Sequence, residues 1–205
     1  MAPQTVSLPA VILAAGMSTR MGTPKLALPW ADTTVLGHVI DTYALAEVSP
    51  IVIVTGAESE TIRRAAGGRD VLFVQNADYA AGEMLSSIQV GLRFLLGADW
   101  PACLIAPGDL PMLQSETIAA VCAPGITACS LTVPSFNNRR GHPVLIGRDY
   151  WPEILSLTGD KTLRDFFICR SGTIHYVVVE DAGIRQDMDT PGEYHTLKPP
   201  EDRLN

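Results

Sequence analysis

Two clusters of residues have the types and spacing to handle a phosphate chain. The first is the segment Leu13 to Lys25, LAAGMSTRMGTPK. Gly16 and Gly22 let the backbone turn sharply and approach a ligand, while Ser18 and Thr19 offer hydroxyl and N–H donors to an anion. Arg20 and Lys25 are the only ionisable side chains between Met1 and Ala31, so they focus positive potential on one loop. The spacing fits neither GxGxxG nor GxxxxGK[ST], which disfavours a P-loop kinase. A plain loop with two solvated cations is the bland alternative.

The second cluster is acidic. Asp109, in GDLP, is the one charged residue between Asp99 and Glu116, and Asp187 and Asp189 stand together in DMDTP. Carboxylates so placed suit a hard divalent cation, which takes oxygen ligands and completes its shell with water and phosphate oxygens. Each also has a structural reading: Asp109 can cap a helix starting near Gln114 or Ser115, and Asp189-Thr190-Pro191 is a helix-start signal.

The elements that must carry these residues follow from the apolar pattern. Ala10 to Ala14, Ile51 to Val54, Val71 to Val74, Cys103 to Ala106 and Ile174 to Val179 are short apolar runs of the kind buried on both faces of a sheet. Between them, Val35, Leu36, Val39, Ile40 and Tyr43 form one helical stripe, and Met84, Ile88, Leu92 and Leu95 another. Alternation of this kind predicts an α/β fold with a mostly parallel sheet and helices on both faces, its site beyond the carboxyl ends of the strands. After Cys129 the pattern changes: Ser130 to Pro134 and Pro143 to Ile146 flank the polar Asn137 to Gly141, which predicts a small antiparallel excursion.

Composition sets the limits. At 205 residues the chain fits one domain, expected over residues 1–197 with a frayed tail at 198–205. Apolar residues make up 47 % and charged residues 18 %, which excludes disorder and coiled coil. A net charge of −7 excludes the clustered basic surface of a nucleic-acid binder. Val6 to Met17 is too short for a membrane span and lacks the positive flank of a secretory leader. Cys103, Cys122, Cys129 and Cys169 show no metal or redox spacing, so buried thiols in a cytoplasmic protein are expected.

The string LAAGMSTRMGTPK resembles the N-terminal signature of the MobA-like nucleotidyltransferases, the family of the molybdenum cofactor cytidylyl- and guanylyltransferases. GEMLSSIQVGL (Gly82 to Leu92), GDLP (Gly108 to Pro111), RRGHPVL (Arg139 to Leu145) and DMDTPGEY (Asp187 to Tyr194) extend the resemblance in the family's order. It implies a Rossmann-like single domain of the nucleotide-diphospho-sugar transferase type. It also implies transfer of a nucleoside monophosphate from a triphosphate to a phosphate monoester, with release of pyrophosphate.

By this resemblance Leu13, Ala14, Ala15 and Gly16 line the nucleotide site, and Arg20 and Lys25 hold the triphosphate. Asn76, Gly82 and Ser87 stand near the base. Asp109 and Asp189 become ligands of Mg2+, with Asp187 as the runner-up. Ala15 occupies a position where guanylyltransferase relatives often carry glycine, and its methyl narrows the pocket, which favours CTP. The expected acceptor is molybdopterin, contacted by His142 and Asp187 with help from Arg139 and Arg140, although His142 can equally pack as a structural residue. Thr162 and Leu163 depart from the small residues usual in the family on that side. The alternatives are GTP or another phosphorylated acceptor within the same reaction class, and a non-catalytic cofactor carrier. Transient contact with a molybdoenzyme is a further expectation.

Overall fold

Short apolar runs become strands and amphipathic stretches become helices in strict succession. The computed structural model describes residues 8–80, 84–158 and 161–200. In chain order the first half comprises β1 (Ala10–Ala14), a 3-10 turn (Lys25–Ala27), β2 (Pro29–Trp30), β3 (Thr33–Thr34), α1 (Val35–Leu45), β4 (Ile51–Thr55), α2 (Ser59–Ala65), β5 (Leu72–Gln75) and α3 (Met84–Leu95). The second half comprises β6 (Ala102–Pro107), α4 (Ser115–Cys122), β7 (Leu131–Phe136), β8 (Arg139–Arg140), β9 (Val144–Gly147), a 3-10 turn (Arg148–Tyr150), α5 (Trp151–Ser156), α6 (Leu163–Cys169), β10 (His175–Val178), a 3-10 turn (Ala182–Arg185) and α7 (Pro191–Leu197). Among the described residues no helix is long and apolar enough to cross a membrane.

The main sheet runs β10-β7-β9-β6-β1-β4-β5, with β8 paired to β7. β1 lies parallel to both β4 and β6, β4 parallel to β5, and β7 parallel to β10. The antiparallel excursion is real, and it is central: β9 slots between β6 and β7 and runs against both. β2 and β3 form a separate antiparallel pair.

Helices cover both faces, because successive side chains of a strand point to opposite sides. Ala10, Ile12 and Ala14 of β1 join the apolar cluster under α1, α2 and α4, whereas Val11 joins the one under α3, α5 and α6. Trp30 and Trp151, each at most 1 % exposed, anchor the two clusters. Full burial of such side chains contributes the bulk of the stability, at about 25 cal/mol per Å² of apolar surface removed from water.

Three expectations are corrected. Val71 to Val74 and Ile174 to Val179 do not form strands buried on both faces: β5 and β10 are the two ends of the main sheet order and their side chains are exposed or half-buried. Met84 heads the α3 stripe in sequence, yet it is 53 % exposed while Ile88, Leu92 and Leu95 are buried, because Met84 lines a cavity and the later positions pack into the core. Of the thiols only Cys103 is buried; Cys122 is half-buried and Cys129 and Cys169 are exposed. Burial pushes the Cys103 thiol up and raises Cys122 to about 11, so both stay protonated near neutrality.

Candidate functional site

The loops after β1, β6 and β10 converge on one cavity of about 1130 Å³. Parallel strands put their carboxyl ends at the same edge of the sheet, and the loops leaving β1 and β6 are held there by their backbones: the Gly108 N–H donates to the Leu13 carbonyl at 2.9 Å. The loop Leu13 to Lys25 then folds back on itself. The Met21 and Gly22 N–H groups donate to the Ser18 carbonyl, and Gly22 sits at a φ of +66°, a left-handed conformation that suits glycine. The Lys25 N–H donates to the Ser18 hydroxyl at 3.3 Å, which closes the loop and fixes where the 3-10 turn begins. A Cβ on Gly16 would meet no protein atom within 4 Å, so its open side is space in the cavity it lines.

The two charge clusters of the sequence meet on this floor. The Lys25 ammonium donates to Asp109 Oδ2 and, at 2.6 Å, to Asp189 Oδ1, across separations of 84 and 164 residues. Arg20 donates to the other Asp189 oxygen at 2.5 Å. Burial acts to lower the Lys25 pKa, but the Asp109 and Asp189 carboxylates outweigh it and hold the ammonium above its ordinary value. Hydrogen bonding from Lys25, helped by the charges of Lys25 and Arg20, holds the Asp189 carboxyl below the usual carboxylate range. Asp187 is shifted the opposite way, by burial and then by the neighbouring Asp189 and Asp109 charges.

The second Asp109 oxygen, Oδ1, is buried and has no hydrogen-bond partner. An orphaned carboxylate oxygen is costly to desolvate, so its presence beside a cavity fits a site that receives a cation. Among the described residues no three His, Cys, Asp or Glu side chains group closely enough to hold a metal alone. Two carboxylates plus phosphate oxygens is a donor set suited to Mg2+.

Neither aspartate spends itself on capping. α4 is preceded by Gln114, whose N–H donates to Asp181 Oδ2 at 3.0 Å, and α7 is capped by Thr190 in a reciprocal box with Glu193. Glu193 also accepts from the Asp189 N–H at 2.9 Å, so the cap of α7 positions the carboxylate-bearing residue before it. The capping box Thr190-Pro191-Gly192-Glu193 is readable from sequence and signals this role.

Leu13, Ala14, Ala15, Gly16, Ser87, His142 and Asp187 line the same cavity, as do Arg20, Lys25, Asp109 and Asp189. Asn76 does not: at 1 % exposure it lies behind Ser87 and donates to the Ser86 and Ser87 hydroxyls. Gly82 lies outside the described residues. His142 Nδ1 is buried without a hydrogen-bond partner, and burial pushes its pKa down against the opposing pull of the Ile105 backbone and the Asp109 charge. Arg140 lines the cavity and places its guanidinium over the Tyr176 ring at 5.0 Å, whereas Arg139 is exposed outside it. Tyr79 lines the cavity close to Ala15, across Gly56, and Arg164, Arg185 and the α6 side chains Leu163, Phe167 and Ile168 line it as well.

The sequence matches the family described as MobA-like NTP transferase domain over residues 10–173. The chain belongs to that family. This NTP transferase is 29 % identical to the molybdenum cofactor cytidylyltransferase of Escherichia coli (strain K12) over 189 residues, 92 % of this chain and 94 % of that one. It is also similar to Rv0371c of Mycobacterium tuberculosis H37Rv, with 28 % identity, a TM-score of 0.77, and coverage of 94 % of this chain and 98 % of the other. A structure of Rv0371c in complex with manganese superposes with a TM-score of 0.74 at 26 % identity, covering 94 % and 98 % of the two chains. The transferase therefore has the nucleotide-diphospho-sugar transferase fold, and its family is one of nucleotidyltransferases.

One residue of the transferase that sequence reasoning missed is Asp181, 3 % exposed in the loop after β10, where it caps the 3-10 turn Ala182–Arg185. Its carboxylate accepts from the Gln114 N–H, from the Thr117 hydroxyl at 2.7 Å and from the Gly183 N–H at 2.8 Å. It thereby clasps the loop that carries Asp109 to the loop that carries Asp187 and Asp189. The Met188 N–H adds a bond to the Asp109 carbonyl at 3.1 Å. Any Cβ at Gly183 would collide with the Met112 carbonyl, so close approach of the two loops requires glycine there. Nothing in the local sequence distinguishes Asp181 from a surface acid, because its three donors come from two different loops. Asp181→Ala leaves those donors without their charged partner and is expected to cost about 3 kcal/mol. Denaturant unfolding measures this, and an unchanged midpoint shows that the clasp carries no energy.

Proposed function

We propose that the protein is a Mg2+-dependent cytidylyltransferase that transfers CMP from CTP to the phosphate of molybdopterin and releases pyrophosphate. The observation that carries this reading is the Lys25 ammonium bridging Asp109 and Asp189 on the floor of a cavity whose first wall is the glycine-bearing loop after β1. The base half is lined by Ala15 and Tyr79, whose ring packs against Gly56; a Cβ at Gly56 would stand 2.7 Å from the Ala15 carbonyl and 3.1 Å from Tyr79. The tight packing of Gly56 against both holds Ala15 and Tyr79 in place, and in this reading the Ala15 methyl narrows the base half in favour of the smaller pyrimidine.

In this reading the backbone N–H groups near Gly16, with Arg20 and Lys25, orient the triphosphate and offset charge that builds up on the leaving pyrophosphate. Lysine acts as a point charge and arginine as a planar fork, so each has its own task. Asp109 and Asp189 would hold Mg2+, and the buried orphan oxygen of Asp109 fits that role. When bound, the ion supplies Lewis-acid neutralisation of phosphate charge. Arg140, His142 and Arg185 face the acceptor phosphate, with Asp187 alongside. The cytidylyltransferase similarity over 92 % of the chain supports the choice of nucleotide and acceptor, and the manganese complex of Rv0371c supports a divalent cation.

The test is pyrophosphate release with each of the four nucleoside triphosphates and Mg2+, with and without molybdenum-loaded molybdopterin. Release with CTP that depends on the pterin is the expected result. Release with GTP alone overturns the pyrimidine assignment, and tight pterin binding with no release under any nucleotide makes the protein a carrier.

A further inference from the structure

Asn76 is buried behind the cavity wall, yet its hydrogen bonds run in one direction only. The Asp78 N–H donates to Asn76 Oδ1 at 3.0 Å, which identifies that atom as the amide oxygen and leaves the NH2 group facing α3. The NH2 then donates to Ser86 Oγ at 2.9 Å and to Ser87 Oγ at 3.0 Å. A hydroxyl that accepts there must send its own proton elsewhere. Ser87 lines the cavity at 6 % exposure, and among the described residues nothing accepts from its hydroxyl. A backbone amide at Asp78 thus sets the polarity of a side chain in the cavity, through Asn76.

We infer that Asn76 is a positioning residue for nucleobase binding: by donating to Ser87 it turns the Ser87 proton into the cavity, where the hydroxyl donates to an acceptor on the base edge, such as cytosine O2 or N3. This rests on the nucleotide reading above and deepens it. Asn76 never needs to touch the base. Its effect is transmitted by the orientation of one hydroxyl, and a site built around a fixed donor discriminates more strongly than apolar contact does.

Asn76→Asp tests the inference with almost no change in shape. A carboxylate only accepts, so the Ser87 hydroxyl must turn its proton toward it, and Ser87 then offers lone pairs to the base. The Asp78 N–H and the Ser87 hydroxyl keep the new carboxylate ionised at pH 8. Affinity for each of the four nucleoside triphosphates with Mg2+ is measured by calorimetry, and KM and kcat by pyrophosphate release. Ser87→Ala loses the donor and is expected to weaken the preferred nucleotide about fivefold. Asn76→Asp opposes two acceptors and is expected to weaken it about fiftyfold, in KM and not in kcat. The double variant is expected to match Ser87→Ala, since the reversed polarity has no hydroxyl left through which to act.

Multiplicative losses in the double variant, or a loss in Asn76→Asp no larger than in Ser87→Ala, overturn the inference. They leave the nucleotide reading intact as long as the wild-type protein binds one of the four nucleotides. Failure of the wild-type protein to bind any of them overturns both. If Asn76→Asp melts below the assay temperature, Ser87→Ala still decides the matter: unchanged affinity for all four nucleotides places the hydroxyl out of reach of the base.

Discussion

Asp109→Asn is expected to slow nucleotidyl transfer by about a thousandfold while the protein remains folded. The substitution keeps the shape and removes a charge from a site where one carboxylate oxygen already lies buried and unpartnered. Lys25 retains Asp189 as a partner, so the fold loses one of the two anchors of the ammonium and keeps the other. The reaction loses more. Groups aimed at developing charge in a water-poor site contribute on the order of 10²–10³-fold each, and here the same residue would also hold the cation. Pyrophosphate release at saturating nucleotide and Mg2+ with the phosphorylated acceptor present gives the rate, and a thermal melt checks the fold. A rate within a few-fold of the wild-type value removes Asp109 from the reaction and returns it to a purely structural ion pair.

Lys25→Ala is expected to act on stability and on chemistry together. The ammonium separates two carboxylates whose side chains are 13 % and 21 % exposed, and its own side chain is 14 % exposed. Removing the cation strips Asp109 of its ammonium partner and leaves Asp189 to Arg20, with Asp187 nearby. Loss of one partner from a buried ion pair costs about 3–5 kcal/mol, and the residual solvent access here places the expected cost nearer 3 kcal/mol. Added Mg2+ is expected to recover part of the melting temperature, because a divalent cation can take the ammonium's place between the carboxylates. Turnover is expected to fall by about a hundredfold or more, with loss of triphosphate affinity. Lys25→Arg is not expected to restore it, since a planar fork cannot occupy a point between two carboxylates. An unchanged melting temperature and rate in Lys25→Ala make Lys25 an ordinary surface charge.

Much of the scaffold was legible in the linear pattern. The apolar runs at Ala10, Ile51 and Cys103 are continuous because those strands are buried on both faces, and that burial is a property of the run itself. The α1 stripe from Val35 to Tyr43 is equally direct, since one helix face must be apolar to pack. The edge strand β10 was also visible, although its side chains are mostly exposed, because branched residues suit an extended backbone. The charge asymmetry was informative too. An acidic chain that opens with only Arg20 and Lys25 concentrates its early positive charge on the loop that lines the cavity.

Other features depended on contacts across the chain. Asp109 and Asp189 have the same local signature as helix caps, and only the fold shows Asp181 and Thr190 beside the helix starts instead. Asn76 is near the expected region, but its amide is consumed within the wall, so residue type and loop position alone misplace it at the surface of the site. The exposure of Cys129, just before β7, and of Cys169, at the end of α6, likewise depends on placement in the fold, which apolar content does not encode.

Residue type and spacing therefore established the α/β order, the cationic loop and the isolated acids, because burial periodicity and charge are written residue by residue. Tertiary structure decided which charges pair, which oxygen is left orphaned and which hydroxyls the Asn76 amide reaches. Those depend on distances between residues as far as 164 positions apart, and distance is a property of the folded chain.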